Sequence, residues 1–173
     1  MEQKVRLEIK KIREGAVLPF YARPGDAGMD LCAAEAVLLQ PEETVAVPTG
    51  LVMQIPPGYE VQIRPRSGLS LHTRLRLPNS PGTIDSGYKD ELKILLYNSS
   101  PLKTGGEVLQ LDVGEKQNRG GAYQIRVGDR IAQMVLAPVS QGEPVAVTEF
   151  SEGGTQNRGG GFGSSGLRRE EVL

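Results

Sequence analysis

Apolar residues in this chain come in short runs of period two, and each run is broken by glycine or proline before a helical stripe could build up. Val5, Leu7 and Ile9 share one face of a half-buried strand, and similar runs return at 36–39, 44–47, 51–55, 59–64, 92–97, 108–113, 123–127, 131–136 and 145–150. Between them stand Pro41, Pro48-Thr49-Gly50, Pro56-Pro57-Gly58, Gly105-Gly106 and Gly128-Asp129, the residues that turns require. No segment holds an amphipathic helical period over three turns, and the best short helix spans 67–72. Many short strands with 22 glycines and 12 prolines predict an all-β sandwich, jelly roll or barrel.

A chain of 173 residues fits one domain and can bury roughly two-thirds of its unfolded surface without covalent staples. With 20 basic and 21 acidic residues the formal net charge is -1, so no global field draws it to nucleic acid, and any polyanion must be held locally. The single cysteine, Cys32, excludes an intramolecular disulfide, and the single histidine, His72, leaves the usual zinc-ligand spacings unmet. The N-terminus lacks the apolar run of a signal peptide, and no stretch reaches the roughly 18 apolar residues of a membrane span. A cytoplasmic protein with no membrane partner is expected.

Composition shifts after Phe150. The stretch 153–166 holds one bulky apolar residue, Phe162, and cannot build a core. A β domain over 1–150 followed by a flexible Gly-rich arm over 151–173 is the expected organisation. A bare linker is one reading of that arm. The other is a phosphate grip, in which Arg158 supplies charge, Phe162 a stacking plane, and the glycines with Ser164 and Ser165 supply N–H and O–H donors.

Four further stretches carry chemistry. Asp85 sits on a loop between the Pro81-Gly82 turn signal and the apolar run 92–97, beside a rigid strand. Asp26 and Asp30 occupy a Gly-containing loop, where aspartates commonly cap turns. Arg64-Pro65-Arg66-Ser67-Gly68 leaves a strand and opens the short helix, so N–H groups near Ser67 and Gly68 can face an anion; a simple Ser N-cap is the alternative. Gln133 lies between Ile131 and Val135 on one strand face, either contacting a ligand or held by backbone, with Asp129 and Arg130 as a structural pair.

Taken in order, the segments 22–33, 64–71, 79–91, 126–135 and 157–166 resemble the five signatures of the trimeric dUTPases, the deoxyuridine triphosphate nucleotidohydrolases. That resemblance implies a jelly-roll-like, distorted β-barrel domain, a homotrimer that exchanges its C-terminal arms, and three sites at subunit interfaces. It implies hydrolysis of dUTP to dUMP and pyrophosphate, which limits uracil in DNA and supplies dUMP for thymidylate synthesis. Asp85 would direct the attacking water at the α-phosphorus, and Asp30 would hold Mg²⁺ through water. Arg66, Ser67, Gly68 and Gln133 map onto phosphate contacts, and Asn79, Gly82, Thr83 and Ile84 onto the uracil hairpin. Tyr88 maps onto the deoxyribose, where it would exclude a 2'-hydroxyl, and Lys93 onto a further substrate contact. Arg158, Phe162, Gly163, Ser164 and Ser165 complete the site from the arm.

The hairpin is expected to run from 72–79 and to be completed from Thr83 onward; Arg74 and Pro78 depart from the family there, and Pro78 removes a backbone donor. Segment 103–121 is longer than the connection expected in relatives and reads as a surface hairpin extension outside the chemistry. Its Gln117-Asn118-Arg119 repeats Gln156-Asn157-Arg158 at an offset of 39, so a duplicated phosphate grip is the rival reading. Two other functions are weighed. A dCTP deaminase-like enzyme is disfavoured by Asp85 and the Arg-Phe arm, and a nucleotide-sensing regulator would use 103–121 as its interface.

Overall fold

The period-two runs become three sheets in a computed structural model that describes residues 4–102, 106–116 and 118–151. Gln117, Arg158, Phe162, Gly163, Ser164 and Ser165 lie outside the described residues. The chain divides into two units, Met1–Ser140 and Gln141–Leu173. In the first unit, one antiparallel sheet runs β1 (Glu8–Lys11), β4 (Thr44–Gln54), β8 (Leu92–Asn98), β6 (Leu75–Arg76). A second runs β2 (Met29–Cys32), β11 (Arg130–Pro138), β5 (Tyr59–Arg64), β7 (Gly82–Ile84). The third holds β3 (Val37–Leu39), β10 (Ala122–Ile125) and β9 (Gln110–Asp112). One α-helix, α1 (Ser67–His72), falls where it is expected. Among the described residues no helix is long and apolar enough to cross a membrane.

Alternation drives the burial. Leu92, Ile94, Leu96 and Asn98 of β8 are buried while Lys93, between them, is exposed. Leu92, Ile94 and Leu96 join Val47, Leu51 and Met53 of β4 and Leu31, Val61, Ile131 and Met134 of the second sheet in one core cluster. Removing such a side chain from water contributes about 1.5–3 kcal/mol.

The structure corrects the sequence reading in several places. The runs 44–47 and 51–55 are one strand, because Pro48-Thr49-Gly50 marks a bulge, and the ladder to β8 shifts between Pro48 and Leu51. Gly50 has φ +67°, and a Cβ there would lie 2.7 Å from the Ala16 Cβ and 2.9 Å from the Arg13 Cβ, so the position requires glycine twice over. The first strand begins at Glu8, not Val5, and Asp30 stands within a strand. The expected hairpin is not a paired unit: β6 pairs with β8 and β7 with β5, since each arm meets a longer buried strand of a different sheet.

The described residues of 103–121 are mostly at the surface, as expected, but they form no hairpin. Strand β9 runs parallel to β10 and covers that strand's edge, with Leu111 buried, and a 3-10 turn at Val113–Glu115 carries the chain back. Asn118 Nδ2 donates to the Leu71 carbonyl of α1 at 3.0 Å, and the Arg119 carbonyl accepts from Tyr123 Oη at 2.6 Å. Finally, 145–150 forms no strand. Val145, Val147 and Phe150 are exposed, because an alternating run needs a partner edge as well as a pattern, and the described part of this unit offers none.

Asn98 ties the sheets together. Fully buried, it donates through Nδ2 to the Leu39 carbonyl at 3.1 Å and the Gly121 carbonyl at 2.8 Å, and its Oδ1 accepts from Ser100 N–H at 3.0 Å. Asn98→Ala strands these groups away from water and should cost about 2–4 kcal/mol. A urea titration reads it, and a midpoint unchanged from wild type would mean that the three bonds contribute nothing net.

Candidate functional site

Strand β11 lies between β2 and β5, with Gln133 opposite both Asp30 and Arg64. Beyond Arg64 the chain turns through Pro65 into α1, and the buried Leu69 anchors that helix with Ser67 and Gly68 at its exposed start. Thr73 ends it, its N–H and Oγ1 both donating to the Leu69 carbonyl, at 3.0 and 2.7 Å. The result is a cavity of about 310 Å³ lined by Ala22, Asp26, Ala27, Gly28, Asp30, Arg66, Ser67, Gly68 and Gln133. Asp30, Arg66, Ser67, Gly68 and Gln133, drawn from three separate motifs, therefore meet in one place.

Charge in this cavity is organised around Asp30. It is buried, Oδ1 accepting from Arg66 Nε at 2.7 Å and Oδ2 from Arg130 Nη1 at 3.0 Å. Arg66 Nη1 also donates to the Arg130 carbonyl at 3.2 Å. Arg66 and Arg130 share the Asp30 carboxylate, and Arg66 is the cation that lines the cavity beside Asp26 and Asp30. A bulge makes the pairing possible: the ladder between β11 and β2 shifts between Arg130 and Ala132, so Arg130 rather than Ile131 stands opposite Cys32. The expected Asp129–Arg130 pair is thereby corrected. Asp129 instead folds back on its own turn, its Oδ2 accepting from Arg126 N–H at 2.8 Å.

Gln133 Nε2 donates to the Pro65 carbonyl at 2.8 Å, the backbone-held arrangement that its strand position allowed. A Cβ on Gly28 would overlap Gln133 Oε1, so a side chain there would displace the Gln133 amide. Asp26 caps its turn, Oδ2 accepting from Arg23 N–H at 2.8 Å. Cys32 is buried; burial pushes its thiol up, and the Asp30 charge adds to this.

Asp30 also decides how a metal fits. Among the described residues no three His, Cys, Asp or Glu side chains cluster to chelate an ion, and both Asp30 oxygens already accept from arginine. Each oxygen keeps lone-pair capacity for water, so the residues suit a cation held through its water shell and not one held directly.

The other expected residues form a second group. Gly82, Thr83 and Ile84 in β7 stand opposite Ile63, Gln62 and Val61. Gly82 is buried, and a Cβ on it would lie 3.3 Å from Asn79 Nδ2, so the Asn79 amide lies against this strand. Asp85 is exposed on the following turn, where its carbonyl accepts from Tyr88 N–H at 3.0 Å. Tyr88 Oη donates to the Glu91 carbonyl at 2.9 Å, and Lys93 is exposed on β8. None of these residues lines the Asp30 cavity. Arg130, Gly28, Arg13 and Glu91 escaped sequence reasoning. Charges 100 positions apart carry no pairing signal, and the one cue at Arg130, its neighbour Asp129, pointed the wrong way.

A jelly-roll-like β domain thus carries a polar cavity, with Arg66 beside Asp26 and Asp30, at the start of a short helix, and the Asp85 loop stands apart from it. The dUTPase family model matches residues 14–113. The chain is 46% identical over 166 residues to the deoxyuridine 5'-triphosphate nucleotidohydrolase of Zymomonas mobilis subsp. mobilis, covering 95% of this chain and 99% of that one. It is 44% identical to the protein of the same name from Hydrogenobaculum sp., over 95% of this chain and all of the other. Among solved structures it is similar to a Staphylococcus bacteriophage 80alpha dUTPase variant with dUpNHpp, at TM-score 0.84 and 32% identity, over 95% of this chain and 100% of that one. A phage phi11 dUTPase variant, described with a structural Mg(II) ion, matches at TM-score 0.76 and 32% identity over 84% and 99%. The chain belongs to the dUTPase family.

Asp30→Asn removes the charge that both arginines share. Stability should fall by about 1–3 kcal/mol, below the loss for a fully buried pair because Arg130 is half exposed. Guanidinium denaturation measures it, and an unchanged midpoint would remove Asp30 as the organising charge.

Proposed function

We propose that the chain hydrolyses dUTP to dUMP and pyrophosphate, which limits uracil in DNA and provides dUMP for thymidylate synthesis. The observation that carries this reading is the polar cavity in which Asp30 and Arg66 meet Ser67, Gly68 and Gln133 in a chain of the dUTPase family. First-turn N–H groups of a helix have no intrahelical acceptor, so those of Ser67 and Gly68 can receive phosphate oxygens while Arg66 supplies charge. Gln133 orients the chain of phosphates from the neighbouring strand. When bound through water at Asp30, Mg²⁺ supplies charge neutralisation on the phosphates.

Asp85 directs a water in line with the α-phosphorus, and its value lies in position more than in basicity. Asn79, beside Gly82, reads the uracil together with the backbone of Thr83 and Ile84. Tyr88, tethered by its hydroxyl, lays its ring against the deoxyribose and fills the space that a 2'-hydroxyl would need, with Lys93 as a further contact. Because the Asp85 loop stands outside the cavity of its own chain, a complete site draws that loop from another copy. The assembly is a homotrimer that exchanges its arms, and Arg158, Phe162, Gly163, Ser164 and Ser165 close the site from a third chain. The exposed Val145, Val147 and Phe150 support an arm that docks on another subunit.

Incubation of pure protein with dUTP, dCTP, dTTP and UTP plus Mg²⁺, with products resolved by ion exchange, tests the reaction; no release of dUMP would refute it. Asp85→Asn should keep binding of a non-hydrolysable dUTP analogue and lose kcat by about 10²-fold or more. Tyr88→Ala should raise UTP hydrolysis relative to dUTP, as measured by competing substrates. Arg158→Ala should cut kcat/KM heavily while Arg119→Ala leaves it within a few-fold, and comparable losses would favour the duplicated grip.

A further inference from the structure

We propose that Arg13 and Glu91 are positioning residues that set the pose of the loop carrying Asp85 and Tyr88. The inference rests on the roles given to those two residues above, and it starts from a charged side chain in an unusual place. Glu91, the last residue before β8, is only 9% exposed at its side chain. A carboxylate so covered needs several strong donors, and Glu91 has three. Arg13 grips it with two of its three guanidinium nitrogens, Nε to Oε1 at 2.5 Å and Nη2 to Oε2 at 2.8 Å. Gly50 N–H donates to Oε1 at 2.9 Å.

Each donor is held in its turn. The bulge between Pro48 and Leu51 takes Gly50 N–H out of the β4–β8 ladder and leaves it for Glu91. Ile12 N–H donates to the Gly50 carbonyl at 2.8 Å, tying the backbone ahead of Arg13 to the same residue. Glu35 engages the remaining arm of Arg13. The Arg13 hydrogen bonds, opposed by burial and helped by Gly50, hold the Glu91 carboxyl below the ordinary carboxylate range, so it is ionised at neutral pH.

From Glu91 the contacts run into the loop. Its carbonyl accepts the Tyr88 hydroxyl at 2.9 Å, and Tyr88 N–H closes the turn on the Asp85 carbonyl at 3.0 Å. The front of the loop is fixed differently, by Ile84 standing opposite Val61 in the β7–β5 ladder. Backbone pairing therefore pins one end of the loop, and at the other the part-buried ion pair acts together with the start of β8, where Leu92 stands opposite Leu51 and its carbonyl accepts from Thr49 Oγ1. If the pair slackens, the Glu91 backbone shifts and takes the Tyr88 ring and the Asp85 carboxylate with it. The phosphate cavity, built on β2, β11 and α1, shares no residue with this clamp.

A purely structural staple would lower stability and leave chemistry alone, so the test reads chemistry. Glu91→Gln keeps the shape but removes the charge, and Arg13→Lys keeps the charge but removes the fork. Both are made in the full-length enzyme and assayed with dUTP and UTP well below their melting temperatures, beside Asp85→Asn and Tyr88→Ala. Glu91→Gln should lower kcat for dUTP roughly 10-fold with KM within about 3-fold, and move the UTP-to-dUTP ratio of kcat/KM toward that of Tyr88→Ala. Arg13→Lys should fall between Glu91→Gln and wild type. Lower melting with wild-type kcat and ratio in both variants would overturn the clamp. Should Glu91→Gln fail to fold, Arg13→Lys, changed at the more exposed partner, decides by the same two readouts. Wild-type behaviour of Asp85→Asn and Tyr88→Ala would overturn instead the reading of the loop on which the clamp rests.

Discussion

The register of β11 is the constraint on which the rest of this molecule depends. Side chains on a strand alternate between faces, so a slip of one residue would exchange Met134 for Gln133 in the core and empty the cavity of its amide. Two partners hold that register at once. Strand β5 pairs from Gln133 to Pro138 without interruption, while β2 pairs with one extra residue at Ile131, and that interruption brings Arg130 to Asp30. A continuous ladder on one side and a bulge on the other let a single strand serve the core and the site together.

The same device recurs in β4. Its bulge at Thr49 and Gly50 interrupts pairing with β8, and the groups that it frees are taken up again, Thr49 Oγ1 donating to the Leu92 carbonyl at 2.6 Å and Gly50 N–H bonding to Glu91. Buried backbone groups seldom go without partners, and here the irregular places are where distant segments are joined. Asn98 and Tyr123 extend the principle across the third sheet, each offering a polar tip to backbone groups that no ladder reaches.

Near-neutral overall charge conceals strong local organisation. Asp30 gathers two arginines at the cavity, and Glu91 gathers a third below the loop, both far enough from water to make geometry count. An arginine beside two aspartates in a cavity, on a chain of net charge -1, offers local donors and no basic surface for an extended polyanion.

Much of this was legible in the sequence. Period-two alternation and Gly/Pro punctuation determined an all-β chain, the bounds of β5 and α1, and the presence of β8 as a strand, because those features depend on neighbours along the chain. The motif residues Asp30, Arg66, Ser67, Gly68 and Gln133 were also readable as candidates, Asp30 and Gln133 within strands and the other three where α1 begins. What only the tertiary structure decided were pairings between residues far apart in sequence: that 44–47 and 51–55 join through a bulge, that β6 and β7 enter different sheets, that 103–121 adds a parallel strand, and that 145–150 forms none. Arg130 with Asp30, and Arg13 with Glu91, belong to the same class. A local pattern states which face of a segment can be buried, but the partner that buries it is chosen by sheet register and by the bulges that shift it, and these depend on the whole chain at once.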